Sequence, residues 1–260
     1  MTQATRNMNH PLHRTLASLP DTFQAWRVNQ QEDGTFLGSE QTLQTATDLA
    51  SFAEGVETVT IQVTHSSLNF KDALSASGHK GVTRNFPHTP GIDAAGSILD
   101  PDDDDDDNRT LVLVTGYDLG MNKDGGFGEL IRVPKNWVVN MPEPWAQNLR
   151  TPMIYGTAGL TAALMVNKLI QRAEAVAGQT VAVTGATGAV GSVAVELLSR
   201  LGYHVVAISG KASTAEHLKA LGAQEVLGRE VLETSKKPLL KPRFDHAIDT
   251  VGGAPTVELL

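Results

Sequence analysis

Three glycines in the run Val183-Thr184-Gly185-Ala186-Thr187-Gly188-Ala189-Val190-Gly191 constrain the fold of this 260-residue chain more than any other feature. An apolar strand candidate, residues 180–184, runs into the turn. A helix candidate, residues 189–201, leaves it, and a second strand candidate follows at residues 204–209. The glycines let the chain turn tightly, let a pyrophosphate approach the backbone N–H groups, and let the helix lie close against the strand. The first turn of the helix adds its positive dipole end. This context predicts a βαβ unit that binds a dinucleotide. The alternative is an ordinary turn between strand and helix that holds nothing.

The end of the second strand bears on which dinucleotide. An enzyme that uses NAD carries an Asp or Glu about 20 residues beyond the glycines, where it accepts from the ribose 2′-hydroxyl. Here that place holds Ser209-Gly210-Lys211. A carboxylate would repel a 2′-phosphate, whereas a hydroxyl and an ammonium attract it. NADPH is therefore the expected cofactor, with a solvated surface lysine as the plainer reading of Lys211.

Around this unit the pattern alternates. A helix is expected at residues 153–170, and another at residues 214–221 with Gly222 just past its end. Further strands are expected at residues 225–227 and 246–249. Such alternation implies a parallel sheet flanked by helices. Residues 23–140 differ: residues 56–64 alternate apolar and polar at period two, residues 111–114 and 129–133 are strand candidates, and glycines and prolines cut the segment into short pieces. Only residues 69–76 suggest a helix. The chain thus reads as α/β, with a disordered extension at 1–22, a β-rich, barrel-like domain at 23–144 and a Rossmann cofactor domain at 145–260.

Composition excludes several functions. There is no cysteine, so disulfides, thiolate nucleophiles and sulfur-ligated zinc are ruled out, in keeping with a reducing compartment. Asp100 and Asp102 to Asp107 supply seven of the 29 acidic residues, leaving 22 against 21 Lys and Arg. No basic stripe suggests nucleic acid. The acidic run fails as a calcium loop because Asp107 and Leu113 stand where Gly and a bidentate Glu are required. It is expected to be extended and solvated. No uninterrupted apolar run approaches about 18 residues, so no membrane partner is expected. A cytoplasmic location follows, with mitochondrial import as the alternative for an Arg-bearing, acid-free leader.

Several ordered motifs together resemble the zinc-free branch of the medium-chain dehydrogenase/reductase superfamily, and within it the acrylyl-CoA reductase and quinone oxidoreductase group. They are Ser66-Ser67-Leu68-Asn69-Phe70-Lys71-Asp72-Ala73-Leu74, Arg84-Asn85-Phe86-Pro87, Pro90-Gly91-Ile92-Asp93-Ala94-Ala95-Gly96, Gly156-Thr157-Ala158-Gly159-Leu160-Thr161-Ala162, the glycine turn, and Ala247-Ile248-Asp249-Thr250-Val251-Gly252. The resemblance covers residues 23–260 and implies a GroES-like catalytic domain beside the Rossmann domain. It places Thr187, Gly188, Ala189 and Val190 at the pyrophosphate, Ser209, Gly210, Lys211 and Arg229 at the 2′-phosphate, and Phe70 near the cofactor, where relatives have tyrosine. Zinc-dependent members carry a cysteine near position 69 and Gly-His-Glu at 91–93. Asn69 and Ile92 stand there instead, so no metal is expected. His65, His79 and His88 are scattered, whereas a zinc site needs three or four convergent ligands.

Two more departures stand out. Lys123-Asp124 replaces the more usual His-Trp before Gly125-Gly126, and relatives continue for about 70 residues past the equivalent of Leu260, enough for the last two strands of a six-stranded cofactor domain. The chain is therefore expected to be incomplete, and a homodimer is the expected assembly of the whole protein. The resemblance implies hydride transfer from NADPH to an α,β-unsaturated acyl-CoA such as acryloyl-CoA. The alternatives are a quinone substrate and a nucleotide-binding protein without catalysis. No residue announces itself as acid or base: Asn69 is the expected amide donor to the substrate carbonyl, and Tyr117 either a proton source or an exposed loop residue.

Overall fold

In the computed structural model, which describes residues 19–99, 110–142, 145, 148–232, 243–253 and 256, regular structure begins with a hairpin. Strands β1 (Thr22–Gln30) and β2 (Phe36–Gln44) pair antiparallel, Thr22 opposite Gln44 and Gln30 opposite Phe36. Most of the N-terminal extension, the acidic run and residues 257–260 lie outside the described residues. The chain divides into two units, Met1–Met153 and Ile154–Leu260.

In the first unit the hairpin leads through a short helix, α1 (Thr45–Asp48), to β3 (Thr58–His65). Helix α2 (Phe70–Ala76) follows, then β4 (Asp93–Leu99), β5 (Leu111–Thr115), β6 (Leu130–Pro134) and β7 (Val138–Asn140). These strands form an antiparallel sheet in the order β6-β3-β4-β5-β7. Val112 and Val114 on β5 alternate inward with Ile131 and Val133 on β6, and with Ile61, Ala94 and Leu119 they make one buried cluster. Each large side chain so buried contributes roughly 1.5–3 kcal/mol. Isolated bridges Ala25–Gly128 and Val28–His88 tie the hairpin to the rest of the unit.

The period-two signal of β3 is thus read correctly from sequence, but β4 lies among small residues, Ala94-Ala95-Gly96, with no strand signal of their own. It is a strand because β3 and β5 pair with it on both sides, Ile61 opposite Ile98 and Ala94 opposite Val114.

The second unit is a parallel sheet. Strand β8 (Thr180–Thr184) passes through the glycine turn into α4 (Ala189–Arg200), then β9 (His204–Ile208), α5 (Ala215–Ala220), β10 (Glu225–Leu227) and finally β11 (His246–Ile248). The order is β10-β9-β8-β11, with Val181 opposite both Val205 and His246. The chain builds outward from β8 and then returns to its other side. Such a reversal opens a crevice beyond the carboxyl ends of β8 and β11.

The 23-residue helix α3 (Arg150–Arg172) precedes β8, and its backbone leaves the helical region at Gly156, φ 49° and ψ −152°. Its mean hydropathy over 18 residues, 1.3, makes it long and apolar enough by composition to cross a bilayer. The criterion of an uninterrupted apolar run does not register this, because Thr, Asn and Lys break the run. Ala162, Val166 and Leu169, one face of the helix, enter the core that also holds Val181, Val183, Ala194 and Leu198.

Candidate functional site

The glycine turn is built for close approach. Gly185 has φ 57°, and a Cβ there would lie 2.3 Å from Thr250 Oγ1. A Cβ on Gly191 would lie 2.3 Å from the Gly185 carbonyl oxygen and 2.8 Å from Ala186 Cα, so the first turn of α4 rests directly on backbone. Gly188 caps the helix, its N–H donating to the Gly185 carbonyl at 2.8 Å and its carbonyl accepting from Ser192 at 2.9 Å. The amides of Ala189, Val190 and Gly191 are the orphan donors of a helix start. Aligned with the helix dipole, they form a cradle for an anion beside Thr187.

At the end of β9, Ser209 is buried, its N–H donates to the Leu227 carbonyl at 2.9 Å, and its Oγ accepts from the Lys211 N–H at 3.1 Å. The space a side chain would need at Gly210 is filled by Arg229, with Nε 2.6 Å from the ideal Cβ position. Arg229, just beyond β10, is thereby carried back to the end of β9. Neither Lys211 nor Arg229 forms an ion pair with a carboxylate among the described residues. Arg229 is thus carried to the strand end where an NAD enzyme would present an acid, and the run Ser209-Gly210-Lys211 there holds none.

The carboxyl ends of β8 and β11 are latched together, which the glycine motif alone does not foretell. The Thr184 hydroxyl donates to Asp249, while Thr250 donates from its N–H to Thr184 Oγ1 at 3.0 Å and from its hydroxyl to the Thr184 carbonyl at 2.9 Å. Asp249 also accepts from the Thr256 hydroxyl and from the backbone of Val251 at 3.0 Å and Gly252 at 3.2 Å. Burial works to raise its pKa, but the hydroxyls of Thr184 and Thr256 and the two amides outweigh burial and hold it at about 2. A carboxylate depressed in the folded state stabilises the fold above its unfolded pKa, near 3.8, and ceases to as pH falls through about 2. Asp249→Asn should therefore melt lower than wild type at neutral pH, with the difference closing between about pH 4 and pH 2. Melting curves across that range check it, and a constant difference would argue against the latch.

In the first unit, Asn69 caps α2 in a reciprocal box with Asp72, its N–H donating to Asp72 Oδ2 at 2.7 Å. Its amide Nδ2 lies 2.8 Å from Ser67 Oγ and 2.9 Å from Asp93 Oδ2. Asp93 also accepts from the Ser67 and Thr115 hydroxyls, the latter at 2.5 Å. Burial pushes the Asp72 carboxyl up, and the charge of Asp93 adds to this, against hydrogen bonds from the backbone of Asn69 and Ile92. Donation by Asn69 to a substrate oxygen would compete with Ser67 and Asp93. Phe70, the first residue of α2, has an exposed ring, and Tyr117 stacks on Trp137. Asp124 is held by Arg27 at 3.2 Å and by the Thr89 N–H at 2.8 Å, while Lys123 donates to the Ser51 carbonyl at 2.6 Å. The pair that departs from the usual His-Trp is tied into the scaffold.

A zinc ion does not fit the donors at residues 69 and 92. Asn69 is bonded to Ser67 and Asp93, and Ile92 offers only an alkyl chain. His65 contacts Thr64, His79 accepts from Gly81, and buried His88 faces Asp124. Among the described residues no group of three or more His, Asp or Glu could hold a metal.

Comparison with known proteins bears on both units. The alcohol dehydrogenase GroES-like domain family matches residues 55–143, and the glutamate/leucine/phenylalanine/valine dehydrogenase family matches residues 153–230. The chain is 45% identical over 231 residues to "Probable acrylyl-CoA reductase AcuI" of Escherichia coli, covering 89% of the chain and 68% of that protein. It is 41% identical over 203 residues to "Putative quinone oxidoreductase YhfP" of Bacillus subtilis, covering 78% of the chain and 61% of that protein. The chain thus spans about two thirds of the length of these relatives. Among solved structures, the yhdH oxidoreductase of Salmonella enterica in complex with NADP superposes with a TM-score of 0.80 at 41% identity, covering 91% of this chain and 70% of that one. The Bacillus yhfP protein with NAD bound superposes with a TM-score of 0.81 at 37% identity, covering 92% and 70%.

Proposed function

The chain belongs to the medium-chain dehydrogenase/reductase family, in the group of acrylyl-CoA reductases and quinone oxidoreductases, and from this we propose that it serves an NADPH-dependent reduction of an α,β-unsaturated acyl-CoA such as acryloyl-CoA. The observation that carries the reading is Arg229 lying across Gly210 at the end of β9, in the run Ser209-Gly210-Lys211 that holds a hydroxyl and a cation but no acid. These residues suit the 2′-phosphate of NADPH, and the orphan amides of Ala189 and Val190 suit its pyrophosphate. One solved relative holds NADP and another NAD, and the preference for NADPH proposed here rests on the cations at the end of β9.

Bound NADPH supplies the hydride. The protein's part is to hold the acceptor and to steady the charge that gathers on its carbonyl oxygen. Asn69 is the proposed donor to that oxygen: its amide is oriented by Ser67 and Asp93, and one of its two N–H groups turns from Ser67 to the substrate. Asp93, held by Thr115 as well, keeps the amide pointed. A quinone acceptor is the second reading, favoured by the 41% identity to the Bacillus relative.

The decisive assay follows loss of NADPH absorbance with acryloyl-CoA and, separately, with a benzoquinone, before and after dialysis against a strong chelator. Oxidation dependent on acryloyl-CoA and indifferent to the chelator is expected. Turnover of quinone alone would move the assignment to the second reading. Turnover of neither, with NADPH still bound, would leave a nucleotide-binding protein without catalysis.

A further inference from the structure

Just past the end of β5 the chain holds Tyr117 at φ 53°, in the left-handed region that a bulky side chain rarely adopts. Such conformations persist only where the surroundings enforce them, and they gather at binding sites. What this one achieves is visible in the packing. The Tyr117 ring lies flat on the Trp137 indole, with centroids 4.9 Å apart and planes within 2°. Trp137 meets Phe52 edge-on at 5.9 Å and 88°, and it packs against the buried cluster of the sheet. The tyrosine therefore rests on a fixed base. Trp137 covers one face of its ring, yet Tyr117 remains 59% exposed. Its hydroxyl makes no hydrogen bond among the described residues.

The position of this stack matters as much as its geometry. Thr115, two residues earlier, donates to Asp93, which also accepts from Asn69. The stack thus grows from the strand end that supports the proposed substrate donor. The geometry points to Tyr117, backed by Trp137, as a stacking platform for a flat aromatic ring carried by the substrate. Offset stacking on a rigid ring tolerates any flat π-system. Two sources share that chemistry: the adenine of a CoA thioester and the ring of a quinone. The inference rests on the proposed function only for the identity of these two ligands. A purely structural role, in which the tyrosine merely shields Trp137, would leave ligand affinity unmoved by its removal.

The test is calorimetric titration of NADPH-saturated protein with CoA, with pantetheine (the adenine-free arm of CoA) and with duroquinone, in wild type, Tyr117→Ala and Tyr117→Phe. Tyr117→Ala should weaken binding of a ring-bearing ligand by about tenfold and leave pantetheine unchanged, while Tyr117→Phe binds as wild type does. Loss for CoA identifies adenine as the stacked ring, and loss for duroquinone identifies the quinone. Should Tyr117→Ala fail to fold, Tyr117→Leu, apolar but without a flat face, takes its place with the same expected loss. The platform is overturned by unchanged affinities in these variants, by an equal loss for pantetheine, by a Phe variant as weak as Ala, or by wild type binding neither CoA nor duroquinone. Because no turnover is measured, failure to reduce acryloyl-CoA leaves this result standing.

Discussion

In the double variant Lys211→Glu/Arg229→Glu, affinity for NADPH should fall by about 100- to 1,000-fold while affinity for NADH changes little. Each cation that meets the 2′-phosphate is worth about 1.5–3 kcal/mol as a charge-assisted hydrogen bond, and reversal replaces attraction with repulsion. Both side chains are exposed, so salt should weaken NADPH binding to wild type more than to the variant. Fluorescence titration of both nucleotides at two ionic strengths measures this. Equal losses for NADPH and NADH would mean that the cations act on something common to both, and the argument for the 2′-phosphate would fail. The single variants apportion the effect: Arg229 lies across Gly210, while Lys211 is anchored only through its backbone to Ser209.

The second large effect is expected from a single methyl group. In Gly191→Ala the new Cβ would sit 2.3 Å from the Gly185 carbonyl and 2.8 Å from Ala186 Cα, both backbone atoms that cannot rotate aside. Helix α4 must move away from β8, at the cost of overpacking, typically about 1–3 kcal/mol and sometimes more. Its first-turn amides then no longer meet the pyrophosphate. NADPH binding should weaken by about 100-fold or more, alongside a lower melting temperature. Gly188→Ala is the matched comparison: its Cβ would lie 3.2 Å from the same carbonyl, so a shift of a few tenths of an ångström accommodates it. If both variants bound NADPH as wild type does, the turn would not be the pyrophosphate site.

The elements differ in how far their own residues specify them, and the reason differs from element to element. Strand β8 and strand β10 fall on the residues expected, and β3, β9 and α4 lie within two residues of theirs. In each, apolar period and glycine placement lie within the element itself. The β1–β2 hairpin and β4 gave no comparable signal. Phe36–Gln44 carries Gly38 and a run of polar residues, and it is a strand because β1 pairs with it along its whole length. The break in α3 at Gly156 was marked by a glycine, but its sharpness is a matter of backbone angle. At the site, Asn69 could be picked out, yet not that its amide points at Asp93, 24 residues away.

By itself, then, the sequence determined the strand–turn–helix unit, the absence of an acid after β9, and the exclusion of thiol chemistry. Each depends on near neighbours in the chain: sterics at glycine, periodic burial, and the charge of a side chain at a strand end. The tertiary structure alone decided that β11 lies beside β8, that Arg229 fills the space over Gly210, that Thr184 and Asp249 latch two strand ends, and that Tyr117 lies flat on Trp137. These contacts join segments far apart in the chain. Each forms only when strand pairing and core burial have already paid the entropy of bringing those segments together, so no local window of sequence contains them.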